Sequence, residues 1–460
     1  MIDGVELDGL RTQMRSVTAD IIELVKTRMD IAQKIGDIKN RLDIQIEDEA
    51  VEQEIQNHVQ ELGGQIGLDR NFIGRLLNLL LTESVRIQVD QISKQPDKLN
   101  HMTMFMRAKK LESEGKKIIH LEVGEPDYFP PRSVKDGLLK AYEKGQLRYT
   151  ETRGIASLRM EISKQFHNIE KDQVIVTPGA RFAVFSAIVA AVRSGEEVLI
   201  LEPAWPAYRE CVEFVGAKTK VIKTSLEQGW DPELEQIKNL ISKNTKMLIL
   251  NYPNNPTGKI IKQEILEKII GVAQENGIFV LSDEVYAGYS YSRFKSILDY
   301  AYDKSIMVSS FSKSYAMTGF RIGYAIASKN MIDKMTQIQA IAITSVAEPI
   351  QYAALSALRN RPTNNAQRIR KRLEFMNRRL REMALEFCPP DGGMYFFVRF
   401  SGGTDETIDL IEILLEKGVA VAPGIGFGKG YGNFLRISAC QPIGILEKGL
   451  DIIESVIRNR

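Results

Sequence analysis

From Leu7 to Ile38 the apolar residues fall at Leu7, Leu10, Met14, Val17, Ile21, Leu24, Ile31, Ile35 and Ile38. These steps of three and four place them on one face only if the chain is an α-helix. No proline interrupts residues 1–90. The pattern predicts a first helix of roughly 35 residues, a second around 47–62 and a third around 69–90, with a break at Gly63-Gly64. A first helix of that length cannot fold back on so small a domain, so it is expected to pair with another chain. One step of the seam is irregular, because Arg28 stands where a leucine belongs. A buried guanidinium without a partner costs several kcal/mol. It must either snorkel to water or meet an anion.

After residue 90 the pattern changes. Residues 91–105, "QISKQPDKLNHMTMF", are polar, carry the first proline of the chain and read as a linker. Beyond them, short β-branched runs such as "DQVIVTP", "EVLILEP", "KMLILNYP" and "GIFVLSDEVY" alternate with helical segments. That alternation signals a mainly parallel sheet with helices on both faces. The expected architecture is an all-α three-helix domain at 1–90, then an α/β region at 106–460. Its large domain takes about residues 150–345, and the flanking segments form a smaller α+β domain.

Several function classes fall away on composition. A net charge of +2 gives no reason to expect nucleic acid or a membrane surface. Residues 1–90 hold ten Lys/Arg against seventeen Asp/Glu, net −7, the wrong sign for a DNA-binding module fused to a cofactor sensor. Cys211, Cys388 and Cys440 are scattered and read as reduced thiols; His58, His101, His120 and His167 show no ligand spacing, so no metal site is expected. No run approaches the length of a membrane span and the N-terminus "MIDGVELDGL" is acidic, so the expectation is a cytoplasmic protein.

Ligands of open α/β sheets sit beyond the carboxyl ends of the strands. Past the apolar runs lie Gly179-Ala180-Arg181, Trp205, Asn255, Asp283 with Tyr286, and Ser310-Phe311-Ser312-Lys313 followed by Arg321. A small-residue turn opening a helix, with Ser310, Ser312 and Arg321, suits a phosphate dianion. Trp205 would stack on a flat ring, Asp283 would keep a pyridine nitrogen protonated, and Asn255 with Tyr286 would bond a ring hydroxylate. Lys313 would bond to a carbonyl and later move an α-proton. The molecule so described is pyridoxal 5'-phosphate.

"NYPNNPTG", "SDEVY" and "SSFSKSYAMTGFRIGY" resemble the aminotransferase class I/II family of the aspartate aminotransferase type, over about residues 105–460. The resemblance implies the pyridoxal-phosphate transferase fold, with Lys313 as the Schiff-base lysine and Arg436 in "NFLRIS" as the clamp on the substrate α-carboxylate. It also implies Gly124 beside that carboxylate, and Tyr149 reaching the phosphate across a dimer interface.

Arg28 then gains company. Lys39, eleven residues on, returns to within about 20° of the same face, roughly 16 Å along the axis. Asp48 and Glu52 form an i, i+4 pair on the second helix, and Ser84 and Gln88 another on the third, while Arg11 points about 100° away from Arg28, toward a neighbouring chain. This constellation is similar to the all-helical chorismate mutase family. By that resemblance Arg28 and a partner-chain Arg11 take carboxylates with Ser84, Lys39 and Gln88 face the ether oxygen, and Asp48 and Glu52 orient the ring hydroxyl. One position departs from the family: Val51 stands where an arginine is usual, with Arg41 a possible substitute.

The expectation is a homodimeric or larger bifunctional enzyme of aromatic amino-acid synthesis. It would turn chorismate to prephenate and aminate prephenate or an arylpyruvate with glutamate or aspartate as donor. The alternative is an aspartate-type aminotransferase whose helices serve as scaffold or sensor. Arg148 and Arg153 are candidates for the region that reads the substrate side chain.

Overall fold

The computed structural model describes residues 2–41, 49–69, 72–77, 79–81, 83–84, 100–362 and 364–459. The chain divides into two units, Met1–Lys98 and Leu99–Arg460.

In the first unit one helix runs Ile2–Arg41 and a second Glu49–Gln65, followed by helical residues at 72–77, 79–81 and 83–84. Hydroxyls of Thr12, Thr18 and Thr27 bond back to the carbonyls of Asp8, Met14 and Glu23, so each finds its acceptor within the helix. The second helix passes through Gly63-Gly64 rather than breaking there. Gly63 serves close packing instead: a Cβ on it would lie 1.9 Å from Cδ1 of Ile73. Ala32, Ile73, Leu77 and Ser84 are buried, whereas Met14, Val17, Ile21, Leu24, Ile31, Ile35 and Ile38 keep from 42% (Ile35) to 70% (Met14) of their surface exposed. From Met14 to Ile38 the seam therefore stays largely exposed.

The second unit is built on a seven-stranded sheet. After β1 (Ile119–His120) come β2 (Val174–Thr177), β3 (Glu197–Glu202), β4 (Lys218–Lys223), β5 (Thr245–Asn251), β6 (Phe279–Asp283), β7 (Ser305–Ser310) and β8 (Gly323–Ala327). The sheet order is β2-β8-β7-β6-β5-β3-β4, parallel except for β8, which runs antiparallel to both neighbours. Its central strands are buried on both faces, as expected where helices cover a parallel sheet. One core holds Leu248, Leu250 and Val280, the other Met247, Ile249 and Leu281, in the alternation of a strand.

A third core belongs to the smaller domain, where β9 (Tyr395–Arg399), β11 (Ala422–Pro423) and β12 (Phe434–Ser438) pair antiparallel and β10 (Val419–Ala420) pairs with β1. The helix His101–Ser113 packs into this core through Met104 and Ala108. It begins inside the segment expected to be a linker, with Asn100 as its cap: Asn100 Oδ1 accepts from the N–H groups of Met102 and Thr103.

Gly63→Ala should loosen the first unit by about 1–2 kcal/mol, because Ile73 must move, whereas Gly64→Ala, with open space around it, should tighten it by up to about 1 kcal/mol. Hydrogen exchange of amides in residues 49–65 of the full chain checks this: faster exchange in the first variant, slower in the second.

Candidate active site

A cavity of about 480 Å³ opens where β5, β6 and β7 end. Strands β5 and β6 pair with Asn251 opposite Asp283. Asn251 Nδ2 donates to the Asp283 carbonyl at 2.9 Å, and its Oδ1 accepts from the Asn255 N–H at 2.9 Å. The turn bearing Asn255 is thus fastened to the strand bearing Asp283.

The Asp283 carboxyl is buried, accepting from the Tyr208 hydroxyl at 2.6 Å and the Val285 N–H at 3.2 Å. Burial pushes its pKa up to about 6 against the pull of those bonds. A cation brought beside it would return it to the ordinary carboxylate range, as a protonated ring nitrogen does.

Lys313 stands just past β7. Its Nζ donates to the Gly124 carbonyl at 2.5 Å. Burial lowers its pKa, and Arg436 and Arg321 add to the effect, which favours the neutral amine that a nucleophile or base requires. Gly124 has no room for a side chain, since a Cβ there would lie 1.6 Å from the Tyr395 hydroxyl. That hydroxyl shares a 2.8 Å hydrogen bond with Tyr286.

Arg436, in β12, is only 2% exposed. Nη1 donates to Asn255 Oδ1 at 2.8 Å, Nη2 donates to the Glu122 carbonyl, and the guanidinium carbon lies 4.3 Å from the Tyr395 ring centre. Nε finds no acceptor, so a carboxylate ligand would answer an unmet donor.

On the other side, Gly179 has φ 82° and caps the helix Ala180–Ala191; a Cβ on it would lie 2.8 Å from Nη2 of Arg321. Arg321 is itself left-handed at φ 50° and donates from Nη1 to the Thr318 carbonyl at 2.8 Å. The Ser312 N–H donates to Ser310 Oγ at 3.0 Å, closing the turn that leads to Lys313. A bare backbone at a helix start facing a guanidinium is a fitting cradle for phosphate. Trp205 stands edge-on to Tyr208 at 5.4 Å with Arg181 over its ring at 4.6 Å.

The structure thus brings Gly124, Ala180, Arg181, Trp205, Asn255, Asp283, Tyr286, Ser310, Ser312, Lys313, Arg321 and Arg436 around one cavity, with Gly179 beside it. Tyr149 lies apart and is 88% exposed. Arg153 is paired with Asp333, and neither it nor Arg148 lines the cavity. Sequence reasoning missed Asn251, Tyr208, Tyr395 and His101. Asn251 opens the quoted "NYPNNPTG" and was open to recognition; His101 was hidden in the polar run 91–105. His101 reaches the cavity beside Arg436 and Lys313, where burial first and Arg436 second push its pKa down to about 3.

In the helical unit, Arg28 Nη1 donates to the Leu80 carbonyl at 2.8 Å and to Ser84 Oγ, and Ser84 donates to Leu80 at 2.7 Å. Arg28 and Ser84 therefore meet. Lys39 is half-buried, and Arg11 is exposed and paired with Asp8 at 3.2 Å. Seventeen residues of helix separate Arg11 from Arg28, roughly 25 Å, so Arg11 cannot serve the same site within one chain. Asp48, Gln88 and the side chain of Glu52 lie outside the described residues.

Comparison with known proteins matches residues 10–89 to the family Chorismate mutase type II and residues 116–451 to Aminotransferase class I and II. An aspartate aminotransferase of Thermotoga maritima is 35% identical over 367 residues, covering 78% of this chain and 96% of that protein. An aspartate/prephenate aminotransferase of Thermus thermophilus is 32% identical over 369 residues, covering 77% and 95%. Among solved structures, the Thermotoga maritima aspartate aminotransferase superposes with a TM-score of 0.75 at 34% identity, covering 80% of this chain and 99% of that one. With most of its length so matched and its cavity so lined, the chain belongs to the aminotransferase class I and II family, and it carries a chorismate mutase type II domain ahead of the aminotransferase.

Proposed function

We propose that this enzyme makes prephenate from chorismate in its helical unit and transfers an amino group to prephenate or an arylpyruvate in its second unit. Glutamate or aspartate is the donor, pyridoxal 5'-phosphate the cofactor and the cytoplasm the compartment. The observation that carries the aminotransferase half is the placement of Lys313 Nζ at the Gly124 carbonyl, in one cavity with Arg436 and the Asp283–Tyr208 pair. The relative named aspartate/prephenate aminotransferase in Thermus thermophilus, together with the mutase domain on the same chain, supports prephenate as a keto acid. Among the described residues no helix is long and apolar enough to cross a membrane.

Gly179, Ser312 and Arg321 would hold the cofactor phosphate, Trp205 its ring face and Asp283 the ring nitrogen. The cofactor supplies an electron-poor ring that stabilises the charge left on the substrate Cα when a proton departs. Asp283, oriented by Tyr208 and the Val285 N–H, keeps the proton on the ring nitrogen. Arg436 binds the α-carboxylate and fixes the orientation of the Cα–H bond. Lys313 Nζ takes the proton from Cα and returns it, the role its lowered pKa suits. Three further cations, Arg181, Arg321 and Arg436, line the same cavity, which favours anionic substrates.

In the helical unit the rearrangement needs no nucleophile or base. Arg28, with Ser84, would hold one carboxylate of chorismate in the reactive conformer, Lys39 would stabilise charge on the ether oxygen, and Arg11 of a second copy would complete the pocket. The exposed seam of the first helix supplies the surface on which two copies pair.

Lys313→Ala should lower the transamination rate by at least about a thousandfold and shift the absorbance of the bound cofactor away from the band that depends on its bond to Nζ, and Asp283→Asn should lower the rate while leaving the cofactor bound. Unchanged turnover in Lys313→Ala would remove it from the chemistry.

Chorismate loss, followed by ultraviolet absorbance without an amino donor, should exceed the uncatalysed rate. Arg28→Ala should reduce kcat/KM by about a hundredfold, some 3 kcal/mol, while Val51→Arg should raise it. No loss above background would leave the helices as scaffold or sensor.

Ile21→Glu with Leu24→Glu should halve the particle mass seen by light scattering, or reduce a larger assembly to dimers, and cut mutase activity together with it. An unchanged mass would place the chain-to-chain contact elsewhere.

A further inference from the structure

Residues 120–122 read His-Leu-Glu, and the last of them meets the buried Arg436. Their backbone is pinned on two sides: the Leu121 N–H donates to the Ala420 carbonyl at 2.9 Å, and the Leu121 carbonyl accepts from the Ser438 N–H at 2.8 Å. Glu122 is 0% exposed. Its Oε1 lies 2.7 Å from Nδ1 of His120, while its Oε2 has no hydrogen-bond partner. The carbonyl of this same residue accepts from Arg436 Nη2.

His120 faces a second carboxyl group. Its Nε2 lies 3.1 Å from Glu112 Oε1, near the end of the helix His101–Ser113, and Glu112 also takes Lys109 Nζ at 2.8 Å. The Phe105 ring of that helix lies 5.9 Å from the imidazole. Gln441 Nε2 donates to the His120 carbonyl at 3.4 Å, and β10, which pairs with β1, brings only Val419 and Ala420. The charged neighbours of the ring are thus Glu122, Glu112 and, through Glu112, Lys109. A carboxylate withdrawn wholly from water is tolerated only with a countercharge and hydrogen bonds. Nothing in the transamination chemistry uses these groups.

We infer that His120 is a positioning residue for Arg436. As an imidazolium it neutralises Glu122 inside the protein and so holds the 122–124 segment in place, with the Glu122 carbonyl on Arg436 and the Gly124 carbonyl on Lys313. Through Glu112 it ties to that segment the helix whose first residue, His101, lines the cavity. The inference rests on the reading that Arg436 receives the substrate carboxylate.

The hydrogen bond to Glu122 is the largest of the effects that raise the pKa of His120. A raised value means that the ion pair is complete below the ordinary imidazole range and is lost as pH climbs through the elevated one. Above it, the buried Glu122 side chain loses its countercharge, its hold on the segment slackens, and the carbonyl that meets Arg436 shifts with it. Weakened substrate binding is therefore expected on the alkaline side, with the steps after binding little affected.

The test measures KM and kcat for the amino donor on the holoenzyme from about pH 6 to about pH 9. In the wild type, KM should rise toward alkaline pH while kcat changes far less. His120→Gln, which keeps a hydrogen bond but no charge, should raise KM about tenfold at neutral pH with kcat within about threefold, and should remove the alkaline rise. The double variant His120→Gln/Glu122→Gln removes the buried charge as well, and should bring KM back to within about threefold of the wild type. A single variant with wild-type KM, or a double variant as impaired as the single, would overturn the inference. Arg436→Ala separates the two readings: if its KM is unchanged, the carboxylate assignment fails first; if its KM rises while His120→Gln is silent, only the role of His120 falls.

Discussion

Arg436 is a charge taken almost wholly out of water, and a charge so placed must be met by acceptors that come to it. They come from separate parts of the second unit. Asn255 reaches it from the turn after β5, and Glu122 offers a carbonyl from the segment after β1. Tyr395, on the neighbouring strand β9, puts its ring against the guanidinium. Each has a second duty: Asn255 is fastened through Asn251 to the strand that ends in Asp283, Glu122 precedes the glycine whose carbonyl meets Lys313, and Tyr395 holds Tyr286. Solvating one guanidinium internally thus positions the Lys313 amine and the Asp283 carboxyl by the same set of bonds.

The two units differ in how far their main elements enclose a core. The sheet unit alternates its strand residues into two cores, and its smaller domain has a third, with Phe129, Phe214 and Ile341 left exposed outside them. The helical unit buries Ala32, Ile73 and Leu77 but leaves the seam of its first helix in solvent. An aliphatic stripe of that length is unfavourable in water, and covering it requires surface from outside the helix.

Much of this was legible in the sequence because the cavity lies where strands end, and strand ends are marked by a change in residue type. Lys313, Asp283, Asn255 and Arg321 were found that way, and Arg28 betrayed itself as a charge in an apolar series. What stayed hidden depends on contacts between distant segments. Tyr208 reads as an ordinary aromatic of a helix until its hydroxyl is seen on Asp283. His101 sits in a run whose proline and polarity suggested a linker, although the Asn100 cap and the apolar Met104 and Ala108 were signs of a helix. Gly63 was read by its flexibility, whereas its lack of a side chain is what the packing with Ile73 uses.

Gly124 and Tyr395 show how such packing constrains change over time. The tyrosine hydroxyl occupies the place where any side chain at 124 would begin, and the ring carbon behind it is 2.6 Å from the same point, so removing the hydroxyl alone does not make room. An alanine at 124 must wait for a smaller residue at 395, and that residue would deprive Tyr286 of its partner and Arg436 of the ring beneath it. No single substitution leads away from the pair without passing through a damaged enzyme. Variation in substrate choice is therefore expected to accumulate at neighbours that carry no such double duty, and a lineage that has lost this glycine should have rebuilt position 395 as well.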